Sequence, residues 1–438
     1  MQSRRRSSLS LILTFGLIGL AGPVRAAAPG YTFTILAQTG DTIDGKTLIA
    51  IGDPIINNAG TVVFPASFDG GSGIFTPSNL LAQTGDTISG ETLTNIVDPY
   101  GRAQIAVNNS GSVVFVGDFA GGTGIFTPSS LLFKTGDVID GKTLLSIGGV
   151  EGRIGINDAG IVVFQAAFKQ PYFPSQAYGI FTSSGLVSDP VSGFYNLLRA
   201  PQINNTGTVV FVINRDFDVE ISTQSGVVGG GEYADYPAIN SAGSIAYSCG
   251  FEGEVTSNSA ICTTMSDRWG TGTIISGKVV YGAASFTRPA LNDAGTLVFN
   301  ALFQSDPKFG ADESGIATPS ELIISSKDTI VGKPLTYYFE AFGSPTINNS
   351  GTIVFRASFA DGTSGIVIVT PIATGVAGDM NNDGVVDCTD LAFMTSIVGK
   401  AYGQAGFDPR ADVNGDGVID IRDLAFVAQH LPGGTSCQ

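Results

Sequence analysis

One nine-residue phrase recurs seven times, and its spacing and its ends together constrain the fold. The first copy reads Ile56-Asn57-Asn58-Ala59-Gly60-Thr61-Val62-Val63-Phe64, and later copies begin at Val107, Ile156, Ile203, Ile239, Leu291 and Ile347. Successive starts lie 51, 49, 47, 36, 52 and 56 residues apart. Repeats of roughly 40–50 residues are the range of propeller blades. Asn-x-x-Gly suits a type I turn, with Asn opening it and Gly taking the left-handed position that follows. Thr61 to Phe68 is β-branched and aromatic, hence a strand. Asp69-Gly70-Gly71-Ser72 reads as a hairpin turn and Gly73-Ile74-Phe75-Thr76 as the returning strand. Leu80 to Thr84 is a fourth strand, stopped by Gly85-Asp86. The unit predicted is a four-stranded antiparallel blade.

The ends of the repeat region predict how it closes. Ile35 to Ile43 repeats Leu80 to Ile88 almost letter for letter, so the region starts with the second half of a unit. The last copy, Ile347 to Thr370, supplies only a first half. Joined, the two halves complete a seventh blade and hide the edge strands that an open array would expose. The copy from Ile203 is short and degenerate, so six regular blades plus one irregular blade is the alternative around residues 203–290. An open β-solenoid is another. The expected fold is mainly β: a seven-bladed β-propeller over residues 29–371, followed by a small all-α module of paired loop–helix units. The repeat form is similar to that of tandem-repeat propellers of exported bacterial proteins, over roughly residues 31–371.

Arg4, Arg5 and Arg6 precede an apolar run, Leu9 to Ala21, and the small-residue region Val24-Arg25-Ala26-Ala27-Ala28. This is the pattern of a signal peptide, residues 1–26, and the run is too short for a comfortable bilayer span. The mature chain is therefore expected to be secreted, extracellular or at the cell surface, without a membrane span after cleavage. A net charge of −16 repels phosphate backbones, which sets nucleic acid aside as a partner.

Residues 372–378 read as a linker, and 379–431 as a distinct module with a tail at 432–438. Asp379, Asn381, Asp383, the Val385 carbonyl, Asp387 and Asp390 occupy positions 1, 3, 5, 7, 9 and 12 of one loop. Asp412, Asn414, Asp416, the Val418 carbonyl, Asp420 and Asp423 repeat the set 33 residues on. Gly384 and Gly417 permit the sharp turn at position 6. Calcium wants six to eight hard oxygens, and these positions supply them, so two Ca2+ ions are expected. Helices are predicted from Leu391 to Val398 and from Leu424 to Leu431. Position 12 is Asp, and one helix follows each loop. In both respects the module resembles a type I dockerin, and the resemblance implies docking onto a cohesin. Dockerins commonly carry Ser-Thr at positions 10 and 11, where this chain has Cys388-Thr389 and Ile421-Arg422.

Four cysteines suit an oxidising compartment. Cys249 and Cys262 align with Ala66 and Phe75 of the first copy, positions read as facing each other across a hairpin. A cross-strand disulfide is expected there, with two buried thiols as the alternative. Cys388 and Cys437 are expected to tie the first loop to the chain end, with free thiols as the alternative.

Catalytic patterns are sparse. The single histidine, His430, lies in the last predicted helix, so the propeller holds neither a Ser-His-Asp triad nor a His-ligated metal. Asp41, Asp86, Asp137 and Asp328 recur at equivalent positions. Recurrence argues for turn stabilisation, because catalysis needs asymmetry. Glu220–Glu232 and Phe251–Asp267, the latter with Glu252 and Glu254, break the repeat and are the remaining places for acid chemistry. Trp269, Tyr172, Phe173, Tyr178, Tyr233 and Tyr236 read as packing or loop anchors, with a sugar platform as the alternative. The expected function is non-catalytic binding or display by a propeller attached through its calcium-dependent module. The expected partners are a cohesin-like protein, a cell-surface component or a polysaccharide. The alternative is a polysaccharide-degrading enzyme, a glycoside hydrolase or lyase, held in an extracellular assembly by the same module.

Overall fold

The computed structural model describes residues 30–96, 103–148, 153–169, 176–188, 197–215, 218–250, 260–265, 267–283, 288–305, 310–337, 341–372, 378–380, 385–401, 404, 406–408, 411, 413, 418–432 and 437. Its first blade is Ile55–Ile56, Val62–Phe68, Gly71–Phe75 and Leu80–Gln83, each strand antiparallel to the next. The same four-strand order recurs in six further blades. Their innermost strands are Ile105–Val107, Ile154–Ile156, Leu197–Ile203, Tyr233–Ile239, Ala290–Leu291 and Thr346–Ile347. The irregular copy from Ile203 therefore contributes a full blade, and the fold is a seven-bladed propeller.

Blade 7 is completed by the start of the chain. Tyr31–Gln38 pairs antiparallel with Ser364–Pro371, from Tyr31 opposite Pro371 to Gln38 opposite Gly365. The Tyr31 hydroxyl reaches across to blade 6 and donates to Glu321 Oε2 at 3.1 Å. Burial, together with the Glu321 charge, pushes the phenol up to about 12.

The recurring asparagine does more than open a turn. Asn57 Oδ1 accepts the Thr61 amide at 2.7 Å within its own blade, while Nδ2 donates to the Asn108 carbonyl of blade 2 at 2.8 Å. Asn108 reaches Asn157, then Asn157 reaches Asn204, Asn204 Asn240, Asn240 Asn292, Asn292 Asn348, and Asn348 returns to Asn57. Seven side chains thus form a closed girdle around the axis, all at most 5% exposed. A second, outer girdle links the next residue of each turn. It is formed in six of seven places and interrupted where Ser241 replaces a carboxamide or carboxylate.

Hairpins join most blades. After the outer strand the chain makes a short two-strand loop: Thr42–Ile43 with Lys46–Ile51, Thr87–Ile88 with Glu91–Asn95, Val138–Ile139 with Lys142–Ile147, Ile274–Ile275 with Lys278–Ala283, and Thr329–Ile330 with Lys333–Pro334. Each turns through two residues at positive φ, such as Asp44 at 46° and Gly45 at 75°, the signature of a type I′ turn. The segment after Gly85-Asp86 is thus a structured hairpin, where the sequence suggested only a stop. Asp41, Asp86, Asp137 and Asp328 stand just before these hairpins. Each accepts the amide three residues upstream, at 2.8 to 2.9 Å. Between blades 4 and 5 the strand Gly226–Gly231 runs almost directly into Tyr233–Ile239, which explains the 36-residue spacing.

Phenylalanines fill the blade interiors. Phe64 stacks on Phe75 with centroids 6.0 Å apart, and Phe115–Phe126 and Phe164–Phe181 repeat the pair at 5.8 and 5.9 Å. Truncating one such ring costs about 3–5 kcal/mol in a packed core. Blade 5 departs from this plan, since Cys262 occupies the Phe75 position. It is bonded to Cys249, and the second bond, Cys388–Cys437, is also formed. The two hairpin cysteines do not face each other as expected. Cys249 is opposite Ala260 and Cys262 opposite Tyr247, so the bridge runs diagonally. Ala66 is likewise opposite Gly73, not Phe75. The disulfide thus links the positions of Ala66 and Phe75 diagonally across the hairpin.

The C-terminal module contains helices α1, Cys388–Ile397, and α2, Ile421–His430. Both begin three residues earlier than the sequence suggested, because Asp387 and Asp420 act as N-caps. Met380, Val386, Met394, Ala411, Ile419 and Val427 form the module's own core.

Candidate functional site

Two places in the molecule concentrate functional groups: the paired loops and the central channel. In the loops, the capping box fixes the position-12 carboxylates. Asp387 Oδ1 accepts the Thr389 amide at 2.7 Å while Asp390 Oδ2 accepts the Asp387 amide at 2.8 Å. Asp420 and Asp423 repeat this with the Arg422 and Asp420 amides, both at 2.8 Å. The caps hold Asp390 and Asp423 fully buried, and Asp379 is 6% exposed. Asp390 Oδ1 also accepts the Met380 amide at 2.6 Å. Buried carboxylates are costly unless a cation or several donors attend them, so this donor set fits a hard divalent ion. A short antiparallel bridge, Ala401 to Val418, with the Ile419 amide on Lys400, sets the second loop beside the chain leaving α1.

Position 9 is partly committed elsewhere. Hydrogen bonds from Thr389 hold the half-buried Asp387 below the usual carboxylate range, and Arg422 does the same for Asp420. The Arg422 guanidinium donates to both Asp420 oxygens, with its nearest contact at 2.7 Å. The expected ligands Asn381, Asp383, Asp412, Asn414 and Asp416 lie outside the described residues. His430 is exposed at the end of α2, its Nδ1 2.8 Å from the Phe426 carbonyl.

The channel runs through the propeller and encloses about 890 Å³. The aliphatic side chains just before the asparagines, Ile56, Val107, Ile156, Ile203, Ile239, Leu291 and Ile347, line it beside the girdle. Four residues before each asparagine, at most roughly 13 Å farther along an extended strand, the residues are Asp53, Gln104, Arg153, Ala200, Tyr236, Arg288 and Ser344. All but Ala200 line the cavity. Asp53 is paired with Arg356 at 3.3 Å and accepts the Ser344 amide at 3.1 Å. Asp235, 2% exposed, is paired with Arg199 at 3.0 Å. Arg153 and Arg288 both lie over the Tyr236 ring, 5.8 and 5.6 Å from its centroid. Arg153 also donates to the Pro237 carbonyl at 3.4 Å. Burial, and then the charge of Arg288, lowers its guanidinium well below the ordinary range, against the opposing pull of Asp235.

Sequence reasoning did not single out Arg153, Arg288, Gln104 or Gln202. The available signal was variety at one repeat position: it differs in nearly every copy, while the asparagine four residues on is the same in all seven. Glu220–Glu232, read as irregular, is largely the regular strands Asp218–Thr223 and Gly226–Gly231, and residues 251–259 lie outside the described set. Tyr178, Tyr233 and Tyr236 lie in strands, not irregular loops, whereas Tyr172 and Phe173 lie outside the described residues. Trp269 packs against the core shared by blades 5 and 6.

A seven-bladed propeller followed by capped loop–helix units defines a modular architecture. Residues 377–432 match the family of the dockerin type I domain, so the C-terminal module is a dockerin domain. Among curated proteins none matches the chain. Solved structures align with the chain at low identity. Virginiamycin B lyase from Staphylococcus aureus aligns over 78% of this chain and all of its own, at 13% identity and a TM-score of 0.38. BBS1N in its complex with ARL6DN aligns over 80% of this chain and 99% of its own, at 10% identity and 0.38. TolB from Acinetobacter baumannii aligns over 63% of this chain at 11% identity and 0.33, and the chain spans 64% of that protein's length. No helix among the described residues is long and apolar enough to cross a membrane.

Proposed function

We propose that the protein is a secreted, non-catalytic binding or display propeller, attached to an extracellular assembly by its dockerin in a calcium-dependent way. The observation that carries this is the dockerin with two fully buried position-12 carboxylates, Asp390 and Asp423, behind a propeller with a furnished channel. Asp379, Asn381, Asp383, the Val385 carbonyl, Asp387 and Asp390 would hold one Ca2+. Asp412, Asn414, Asp416, the Val418 carbonyl, Asp420 and Asp423 would hold the second. Calcium supplies the charge that neutralises these carboxylates and lets the two helices pack. Dockerins bind cohesins in general. At the helix starts this chain presents Thr389, Ile421 at 69% exposure and Arg422 in place of a Ser-Thr pair, and Cys388 is held in a disulfide. The partner is therefore a cohesin-type surface suited to one apolar and one basic side chain. The non-catalytic reading is supported by the recurrent aspartates, whose carboxylates are engaged in turns. The test is capture of the full-length mature protein on immobilised cohesins and on the host's cell-surface fraction, in calcium and in chelator. Retention in calcium and release by chelator are expected. Equal retention in chelator, or hydrolysis of a glycan panel by the purified protein, would overturn the proposal.

A further inference from the structure

The channel offers an observation that the dockerin does not touch. At the position four residues before each girdle asparagine, the fold accepts Asp, Gln, Arg, Ala, Tyr, Arg and Ser. Ala200 and Ser344 show that no arginine is needed there to build a blade. Yet two arginines face the same enclosed space, in a chain whose net charge is −16. Among the described residues, the two acids named at this end of the channel are already committed, Asp53 to Arg356 and Asp235 to Arg199. No carboxylate among the described residues lies within ion-pair distance of Arg153 or Arg288. Arg153 and Arg288 are half-buried, and Asp235, the acid that pulls on Arg153, is already shared with Arg199, so partial desolvation and mutual repulsion make the pair costly. Tyr236 offers both a ring face, which lessens that cost and leaves the positive charge in place. Its φ of 52°, unusual for a residue with a side chain, belongs to a break in strand register between Asp235 and Ala238. Gln104 and Gln202 line the same wall and can donate or accept.

We propose that this end of the channel is a binding site for a small organic carboxylate, held by the Arg153 and Arg288 guanidiniums beside Tyr236. Guanidinium forks match carboxylate geometry, and the cavity volume is in the range of small-molecule pockets, far larger than an inorganic ion needs. The inference rests on the propeller being the ligand-binding part of the molecule.

The test is calorimetric titration of the full-length protein with galacturonate, its neutral counterpart galactose, and sulfate. Galacturonate is expected to bind, galactose at least tenfold more weakly, and sulfate to compete. Arg153→Gln and Arg288→Gln should each weaken galacturonate at least tenfold, with Lys at either position restoring part of the affinity. Because the guanidiniums repel each other, neither Gln variant should melt at a lower temperature than the parent without ligand. Galacturonate and galactose binding equally would overturn the carboxylate assignment while leaving a binding propeller. Sulfate binding alone would overturn the organic ligand. Failure of all three probes would overturn the carboxylate site and leave the binding role to the capture experiment. Gln variants that melt earlier and bind galacturonate unchanged would reduce both arginines to structural parts.

Discussion

Val331 stands at φ 49° in the tip of the last inter-blade hairpin, 66% exposed. The other four tips carry Asp44, Ser89, Asp140 and Ser276, each accepting an amide from the first or second residue of an outer strand, as Asp44 does from Leu80 at 2.7 Å. In blade 7 the outer strand runs straight on from Tyr31, and a valine without an acceptor occupies the corresponding tip. A β-branched residue in the left-handed region is strained, so Val331→Asn should raise stability by about 1 kcal/mol, read as a shift in the urea midpoint. The girdle predicts the opposite sign. Asn57→Ala removes one buried and one part-buried hydrogen bond, leaving the Asn108 carbonyl only the Gly111 amide, and should cost about 2 kcal/mol. Asn58→Ala, in the exposed and interrupted outer girdle, should cost under about 1 kcal/mol. Equal losses from the two changes would deny the inner girdle its role. The sequence showed Asn57 as a turn former, and that is half of its work. The other half is the carbonyl of a residue 51 positions away, which no local pattern encodes.

At the scale of elements, the blade and its closure were legible and the connections were not. Alternation, the Asn-x-x-Gly turn and the offset of the ends each follow from local chemistry, so they could be read from one copy and multiplied. The hairpins were missed although Asp44-Gly45 and Asp140-Gly141 are strong turn signals. Their first strands are only two residues long, too short to show alternation. The diagonal disulfide was misregistered because the turn sets the pairing: a four-residue turn at 69–72 would put Phe75 opposite Ala66, and the two-residue turn at Asp69-Gly70 puts Gly73 there instead. Closure gives the sharpest test at this scale. Removing 31–38 leaves Ser364–Pro371 as an open edge and uncovers Val367 and Val369, which are fully buried in the intact ring. The truncated protein should aggregate at concentrations where the full chain is monodisperse by light scattering. Unchanged solubility together with an unchanged melting midpoint would mean that the ring is not held by this strand.

For the whole molecule, the two modules should respond differently to loss of metal. Asp379, Asp383, Asp387, Asp390, Asp412, Asp416, Asp420 and Asp423 crowd eight carboxylates into the proposed loops. Without a cation, those held inside would have to lose their charge or leave the interior, and a core of a few side chains such as Met394, Ile419 and Val427 is too small to prevent it. Calcium binding to the folded form is then folding free energy. The Cys388–Cys437 bond limits how far the chain can expand but supplies none of the missing charge. The propeller rests on a closed girdle and phenylalanine-filled blades, and none of the proposed ligands lies within it. Chelation should therefore abolish the helical circular dichroism of α1 and α2 and open residues 379–431 to limited proteolysis, while residues 31–371 stay resistant with an unchanged melting midpoint. Asp390→Ala should weaken one site and Asp423→Ala the other in a calcium titration, each by at least about tenfold, because a buried ligand contributes more than about 1.4 kcal/mol. A stoichiometry near zero would remove calcium from the account, and a propeller that unfolds together with the module would show that the two are one cooperative unit.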